Sequence, residues 1–493
     1  MKTTYITFIC LLTCIINSSA QSWQKVGTGT NALKLTGTGN VICSDVHNNI
    51  YIGGWYRDDS GGQSVYKWDG TSWSELGHGS SALAATGGQI QAVFADAAGN
   101  VYASAFDNSS AGYYVARWNG TRWSPLGTGY PIASNIFAIT MDKHGNLYAA
   151  GEFHDALFRY YVAKWDGVNW TEVGTGSNSL GAIAPIYCIV ADTFNNIYVA
   201  GAFCNNITDT SADLYVAKWN GTAWSEVGSG VALTHYHGEA IYTLQEDASG
   251  NLYAAGSFAD SNNKYYVAKW DGTAWSELGK GTSALNANAR IHSICLDTHG
   301  NLYAAGFFTD TTVNLSSPNL DAATGLVTSR DTIHPCYVAM WNGTTWNNTG
   351  TTANALNANR GIFSICPDAD GNIYSVGAFT DTTLIIPYDS HLPRSRTEYL
   401  YPFYVAKYNA GTNHTTSLTL SNGISIYPNP TCSKLTVVAH NNINTIEIYD
   451  IAARTVFNSR YNIPKVQVDV SSLPSGTYFI KVNNIAIKKF IKE

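Results

Sequence analysis

Three short signatures recur in the same order along the first four-fifths of the chain, and this recurrence limits the possible folds more than any other feature. The first, D-x-x-[GN]-N-[ILV]-Y, occupies 45–51, 96–102, 142–148, 192–198, 247–253, 297–303 and 368–374. The second is a YVAKW-like segment ending at Trp68, Trp118, Trp165, Trp219, Trp270, Trp341 and Tyr408. The third, W-x-x-[VLT]-G, starts at Trp23, Trp73, Trp123, Trp170, Trp224, Trp275 and Trp346. Each occurs seven times, and successive copies lie about 46 to 71 residues apart, a period that fits the blades of a propeller.

Local chemistry assigns strands to the repeat. The segment before each Asp is apolar, as in IHSICL (291–296). Asp-x-x-Gly-Asn is a turn, because Asp bonds its own backbone and Gly or Asn tolerates a positive φ. The next strand is of the type NLYAAGFF (301–308), followed by a hairpin of variable length, the YVAKW strand, a second turn at Asp/Asn-Gly and the Trp strand. Each repeat therefore predicts four strands. The strands are nearly continuous in apolar character, which means both faces are covered, as when blades stack.

The order of the signatures predicts how the ring closes. Trp23 opens the chain with an unpartnered W-Q-K-V-G strand, whereas the last repeat reaches YVAKYNAG (404–411) with no Trp strand after it. The first strand then completes the last sheet and removes two open edges. The expected fold is all-β: a seven-bladed β-propeller over 21–411, closed by the N-terminal strand, a linker at 412–423, and a small Ig-like β-sandwich over 424–493.

The repeats resemble bacterial seven-bladed propeller (SBBP-like) repeats, whose pattern looks like D-x-x-G-N-[IVL]-Y-[VA]-x-G. They also resemble kelch repeats, in which an aliphatic-Tyr strand ends in Gly-Gly and a later strand carries a Trp. Only Gly53-Gly54 keeps the double glycine; the other copies read Ala-Gly, Val-Gly or Ser-Ala. The resemblance covers about residues 22 to 411.

The two ends of the chain carry different information. Residues 1–20 read as a signal peptide: Lys2 supplies a positive start, TYITFICLLTCII (4–16) a short apolar run, and Ser18-Ser19-Ala20 a small-residue cleavage site. The run is too short for a membrane anchor, and no later run is long enough to span a bilayer. Of nine cysteines, Cys10 and Cys14 would leave with the signal. Cys43, Cys295 and Cys366 occupy one equivalent position in different repeats, which reads as small core residues rather than a disulfide framework.

Beyond 411 the composition changes. Trp disappears, and Lys and Arg outnumber Asp and Glu. Tyr427-Pro428-Asn429-Pro430 precedes alternating segments at 434–440, 445–452 and 465–470, then Leu473-Pro474-Ser475-Gly476-Thr477-Tyr478 and a basic end, AIKKFIKE. This segment resembles the type A C-terminal sorting domain of the type IX (Por) secretion system of Bacteroidetes, with Y-P-N-P, L-P-x-G-x-Y and the basic end in the family's order. The resemblance implies that residues 424–493 engage the type IX secretion machinery. It also implies that the chain is released or attached at the cell surface.

The net charge of −7 without a basic stripe leaves no footprint for nucleic acid. No Ser/His/Asp pattern or paired carboxylates occur at a recognisable spacing. His235-x-His237-x-Glu239 places three ligand types on one strand face, but no fourth is visible. Asp368-Ala369-Asp370-Gly371-Asn372 resembles the start of a calcium loop but lacks the bidentate Glu, and it aligns with six plain turns. Neither a metal nor a cofactor is expected. Asp310-Thr311-Thr312, Asp331-Thr332-Ile333 and Asp381-Thr382-Thr383 resemble the O-glycosylation sequence of the same bacterial group.

Specificity on a rigid scaffold resides in its divergent loops. The hairpins at 309–336 and 380–402 are the longest, and His334, Tyr388, His391, Arg394 and Arg396 in them are the candidate ligand-binding residues. The expected function is a non-catalytic, secreted or surface-attached binding or adhesion protein for a glycan or protein ligand. The alternatives are an extracellular polysaccharide hydrolase or lyase, and a structural surface component.

Overall fold

The computed structural model describes residues 21–492 apart from 34, 36, 56–62, 84, 109–111, 128–131, 133, 205–213, 229–239, 321–326, 351–353, 382–401, 411–424, 428–430, 432, 451–453 and 484–485. The signal segment, the linker and the His235/His237/Glu239 group therefore lie outside the described residues. The chain divides into two compact units, Met1–Gly411 and Thr412–Glu493.

Among the described residues the first unit contains seven four-stranded antiparallel sheets and no α-helix. Their first strands are Thr38–Ser44, Val93–Ala95, Ile136–Met141, Ile186–Ala191, Ile241–Glu246, Ile291–Leu296 and Ile362–Pro367. Each first strand packs against the first strands of the sheets before and after it, and Thr38–Ser44 packs against Ile362–Pro367, so the circuit closes. The sheets are numbered blades 1 to 7 in this order. Blade 7 is completed by Ser22–Lys25, which pairs antiparallel with Ala406–Asn409 in the register Trp23↔Tyr408.

The first signature is a hydrogen-bonding unit. In six of the turns the Asp Oδ1 accepts the backbone N–H groups two and four residues on, while Oδ2 accepts the Asn amide and the Tyr hydroxyl. One carboxylate thus fixes the turn and the following strand together. The Lys of YVAKW lies over the same Tyr ring, as for Lys164 over Tyr148 at 5.6 Å and Lys269 over Tyr253 at 5.7 Å. Where the turn carries Asn instead of Gly, the side chain does more than tolerate a left-handed backbone. Asn48 (φ 64°) and Asn195 (φ 65°) accept the N–H groups of Ala369 and Lys143 in the turns of the neighbouring blades.

The third signature joins blades. Each Trp indole N–H donates to the carbonyl of the fourth residue of the previous W-x-x-[VLT]-G: Trp73 to Val26, Trp123 to Leu76, Trp170 to Leu126, Trp224 to Val173, Trp275 to Val227 and Trp346 to Leu278. Trp23 donates to Thr349 at 2.9 Å and so takes the seventh place in the cycle. The final Gly of the signature is required twice. Gly279 has φ +85°, and a Cβ there would lie 2.9 Å from the Trp341 ring of the next blade. Within six blades two Trp face one another across the outer hairpin, as in Trp270 and Trp275 at 5.8 Å, and in blade 7 Trp23 faces Tyr408.

The second unit is one hydrogen-bonded sheet of five strands: Ser425–Tyr427, Lys434–Tyr449, Thr455–Asp469, Gly476–Val482 and Ala486–Lys492. The expected separate strands at 434–440 and 445–452 are one continuous strand. The long hairpin continues through Ile443, which pairs with Ile463, and its register shifts on either side of that residue. Such bulges bend a ladder rather than end it. Leu435 and Val437 from one half and Ile446 and Ile448 from the other therefore reach one core, with Val466, Ile480 and Phe490. The Tyr of L-P-x-G-x-Y closes its own turn. Tyr478 donates its hydroxyl to the Pro474 carbonyl at 2.8 Å and stacks on Phe490.

Candidate functional site

The two faces of the ring differ in kind. Each first strand ends at an Asp turn, so the Asp turns and the Asp/Asn-Gly turns share one face. The other face carries the starts of the first strands, the inter-blade linkers and the variable hairpins. On this second face the pairing of first and second strands slips by one residue in six blades, between Gly39/Val41, Ile136/Ala138, Ile186/Cys188, Ile241/Thr243, Ile291/Ser293 and Ile362/Ser364. The extra residue of a bulge is re-aimed out of the ladder, a device common beside binding sites. The residues skipped are Asn40, Phe137, Tyr187, Tyr242, His292 and Phe363; Gln91 holds the same sequence position in blade 2.

Five of these seven form a continuous arc across blades 3 to 7. Ring centroids lie 5.2 Å apart for Phe137 and Tyr187, 5.7 Å for Tyr187 and Tyr242, 4.8 Å for Tyr242 and His292, and 5.9 Å for His292 and Phe363. All five are half-buried. Because they stand on the innermost strands, they line the mouth of the central channel. Phe307 supports the arc from behind, at 5.1 Å from His292 and 5.7 Å from Phe363. Gly361 makes room for it: a Cβ there would meet the Phe307 ring at 2.7 Å. Arg290 lies over the Phe307 ring at 4.5 Å. In blades 1 and 2 the arc gives way to amides, where Asn40 donates to Gln89 at 2.7 Å.

His292 is the imidazole in this arc. Its Nε2 is buried and has no hydrogen-bond partner. Burial, and then the positive charge of Arg290, lower its pKa from the ordinary 6.5 to about 4, so the imidazole is neutral across the physiological range. A neutral imidazole nitrogen either donates or accepts, depending on the tautomer.

The described carboxylates of the hairpins on this face bond neighbouring groups. The seven linkers from the end of W-x-x-[VLT]-G to the next first strand contain one acidic residue, Glu239. The described acids of the hairpins act as turn acceptors or pair with neighbours. Asp155 takes Leu157 and Arg159, Asp260 takes Asn262 and Lys264, Asp310 takes Thr312, and Asp381 pairs with Lys25. Glu152 accepts the Asn135 amide at 2.7 Å.

The residues expected from the long hairpins fare unevenly. His334 is exposed at the base of a two-stranded ribbon formed by Leu315–Leu320 and Val327–Ile333, where its Nδ1 bonds the Val313 carbonyl at 2.9 Å. It closes the ribbon. Tyr388, His391, Arg394 and Arg396 lie outside the described residues. In Asp368–Asn372 both carboxylates serve as acceptors within and between turns, Asp368 for Asp370 and Asn372, and Asp370 for Asn48. The six described cysteines are free thiols.

The aromatic arc escaped the sequence reading, yet it leaves a signal. The residue five places before each repeated Asp reads N, Q, F, Y, Y, H, F along the chain. The two neighbouring positions are mostly aliphatic or small, so this column stands apart once the copies are aligned on Asp.

Residues 425–493 match the secretion system C-terminal sorting domain family. The chain is thus an exported propeller protein carrying a type IX sorting domain. Its destination is the cell surface or the extracellular space. No helix among the described residues is long and apolar enough to cross a membrane. No curated protein matches the chain in sequence.

Among solved structures the chain is similar to PorZ, a surface component of the type IX secretion system of Porphyromonas gingivalis, with 13% identity and a TM-score of 0.45 over 91% of this chain and 58% of that one. It is similar to the extracellular domain of a hybrid two-component system from B. thetaiotaomicron, with 16% identity and a TM-score of 0.47 over 90% of this chain and 48% of that one. It is also similar to virginiamycin B lyase from Staphylococcus aureus, with 11% identity and a TM-score of 0.47 over 78% of this chain and 98% of that one.

Proposed function

We propose that the protein is a non-catalytic binding module, displayed or released outside the cell, that captures its ligand at the channel mouth on the variable face. The observation that carries this reading is the arc of Phe137, Tyr187, Tyr242, His292 and Phe363. It supplies a row of half-buried aromatic rings on the innermost strands, with the unpartnered His292 nitrogen among them. The commitment of the described carboxylates on this face to turns and neighbours supports binding over hydrolysis, which requires two free carboxyl groups at a defined separation.

The test is to apply the secreted protein to glycan and peptide arrays, and to incubate it with polysaccharides while following reducing ends and unsaturated products. Capture without new products is the expected outcome. Release of reducing ends or unsaturated sugars would replace binding with an enzymatic function.

A further inference from the structure

We infer that the ligand seated on the aromatic arc is a neutral carbohydrate, held by stacking on Tyr187, Tyr242 and Phe363 and by a hydroxyl group hydrogen-bonded to His292 Nε2. This deepens the binding reading and rests on it. Three observations select the class. The arc presents ring faces and edges from successive blades, which suit the C–H faces of a pyranose. Neutral polar groups stand in and beside it: the buried Nε2 of His292 without a partner, and the amides of Asn40, Gln89 and Gln91 where the arc is open. A buried unpartnered nitrogen is costly unless a ligand atom or water completes it, and a sugar hydroxyl meets either tautomer, since it both donates and accepts.

An extended peptide is disfavoured by the state of the strand edges. A peptide recognised by strand addition needs free N–H and C=O groups. On the first strands three N–H groups are engaged between blades. The N–H of Ile42 donates to the Ser364 hydroxyl, that of Ile365 to Ser293, and that of Ile294 to Thr243. Arg290 is drawn onto the Phe307 ring, and the chain's net charge is −7.

The experiment titrates the full secreted chain with neutral hexasaccharides built from glucose, mannose, galactose, xylose or N-acetylglucosamine, reading heat and the intrinsic fluorescence. At least one should bind. Tyr242→Ala should weaken it at least 10-fold. His292→Phe, which keeps the stack and removes only the nitrogens, should weaken it several-fold without lowering the melting temperature. Phe194→Ser, on the opposite face, should bind as the parent does.

The assignment is overturned if none of the five sugars binds, or if the Tyr242 and His292 variants bind as tightly as the parent. Should a random-sequence peptide library yield binders sensitive to Tyr242→Ala while the sugars fail, the carbohydrate class falls and the binding reading stands. If the hexasaccharides bind and are then cleaved, the binding reading itself fails.

Discussion

At the level of single residues, this protein repeats a few charged or polar groups that each do several things. Asp142 is buried, and its two oxygens take the N–H groups of His144 and Asn146, the Asn146 amide and the Tyr148 hydroxyl. Burial pushes such carboxyls up, but the hydrogen bonds together outweigh it and hold Asp45, Asp142 and Asp247 below the usual carboxylate range. Their stabilisation is therefore present above the unfolded value near 3.8 and is lost as pH falls through the folded one. Asp142→Ala should cost about 2–4 kcal/mol, since it orphans several donors; a shift in the denaturant midpoint measures this.

His292 also loses stability in acid, but because the fold keeps it neutral rather than charged. Its folded pKa of about 4 lies below the unfolded 6.5, so the unfolded chain binds the proton first. Stability is unaffected above pH 6.5 and falls as pH drops from 6.5 to 4. His292→Phe should flatten the melting-temperature profile in that window relative to the parent. If the two profiles fall in parallel, His292 is not the titrating group.

At the level of elements, the Trp strand and its terminal Gly carry the junctions between blades. Trp23 is half-exposed, so Trp23→Ala should cost about 3 kcal/mol, toward the low end for a large aromatic. Deleting residues 22–27 should lower the melting temperature further, because blade 7 loses its fourth strand and Trp73 loses the Val26 carbonyl. A deletion variant that melts with the parent would contradict this role. Two glycines of blade 5 give a sharper contrast. Gly272 has φ +97° with nothing near its Cβ position, whereas Gly279 has φ +85° with Ser283 O and Trp341 in the way. Alanine should cost about 1 kcal/mol at the first, from the left-handed backbone alone. At the second it should cost about 3 kcal/mol, because overpacking adds to the strain. Equal losses in denaturant melts would show that the neighbouring Trp yields freely.

The same elements show how far the sequence could be read. The strands, both turns and the pairing of the first strand with the last blade were legible, because they rest on neighbours in sequence and on a period repeated seven times. The continuous strand Lys434–Tyr449 was not. Asn441-Asn442-Ile443-Asn444 looks like a loop in composition, yet inward-facing Ile443 carries the ladder through it.

At the level of the whole molecule, two compact units divide the work between a ring and an export signal. In a bacterium possessing the type IX system, a chain truncated before residue 425 should stay within the cell envelope while the full chain reaches the surface or the medium. Fractionation followed by immunodetection decides this, and surface delivery of the truncated chain would refute it.

The repeat, its four strands, its turn chemistry, the closing strand and the sorting segment are all written in the order of the residues. Each depends on groups close together in the chain or on motifs spaced at a fixed period. Where chemistry-bearing groups from different repeats meet is written nowhere in that order; folding in three dimensions brings them together. Phe137, Tyr187, Tyr242, His292 and Phe363 are separated by about 50 to 70 residues in sequence. They become neighbours because one bulge, repeated at the start of successive inner strands, turns each of them toward the same channel mouth.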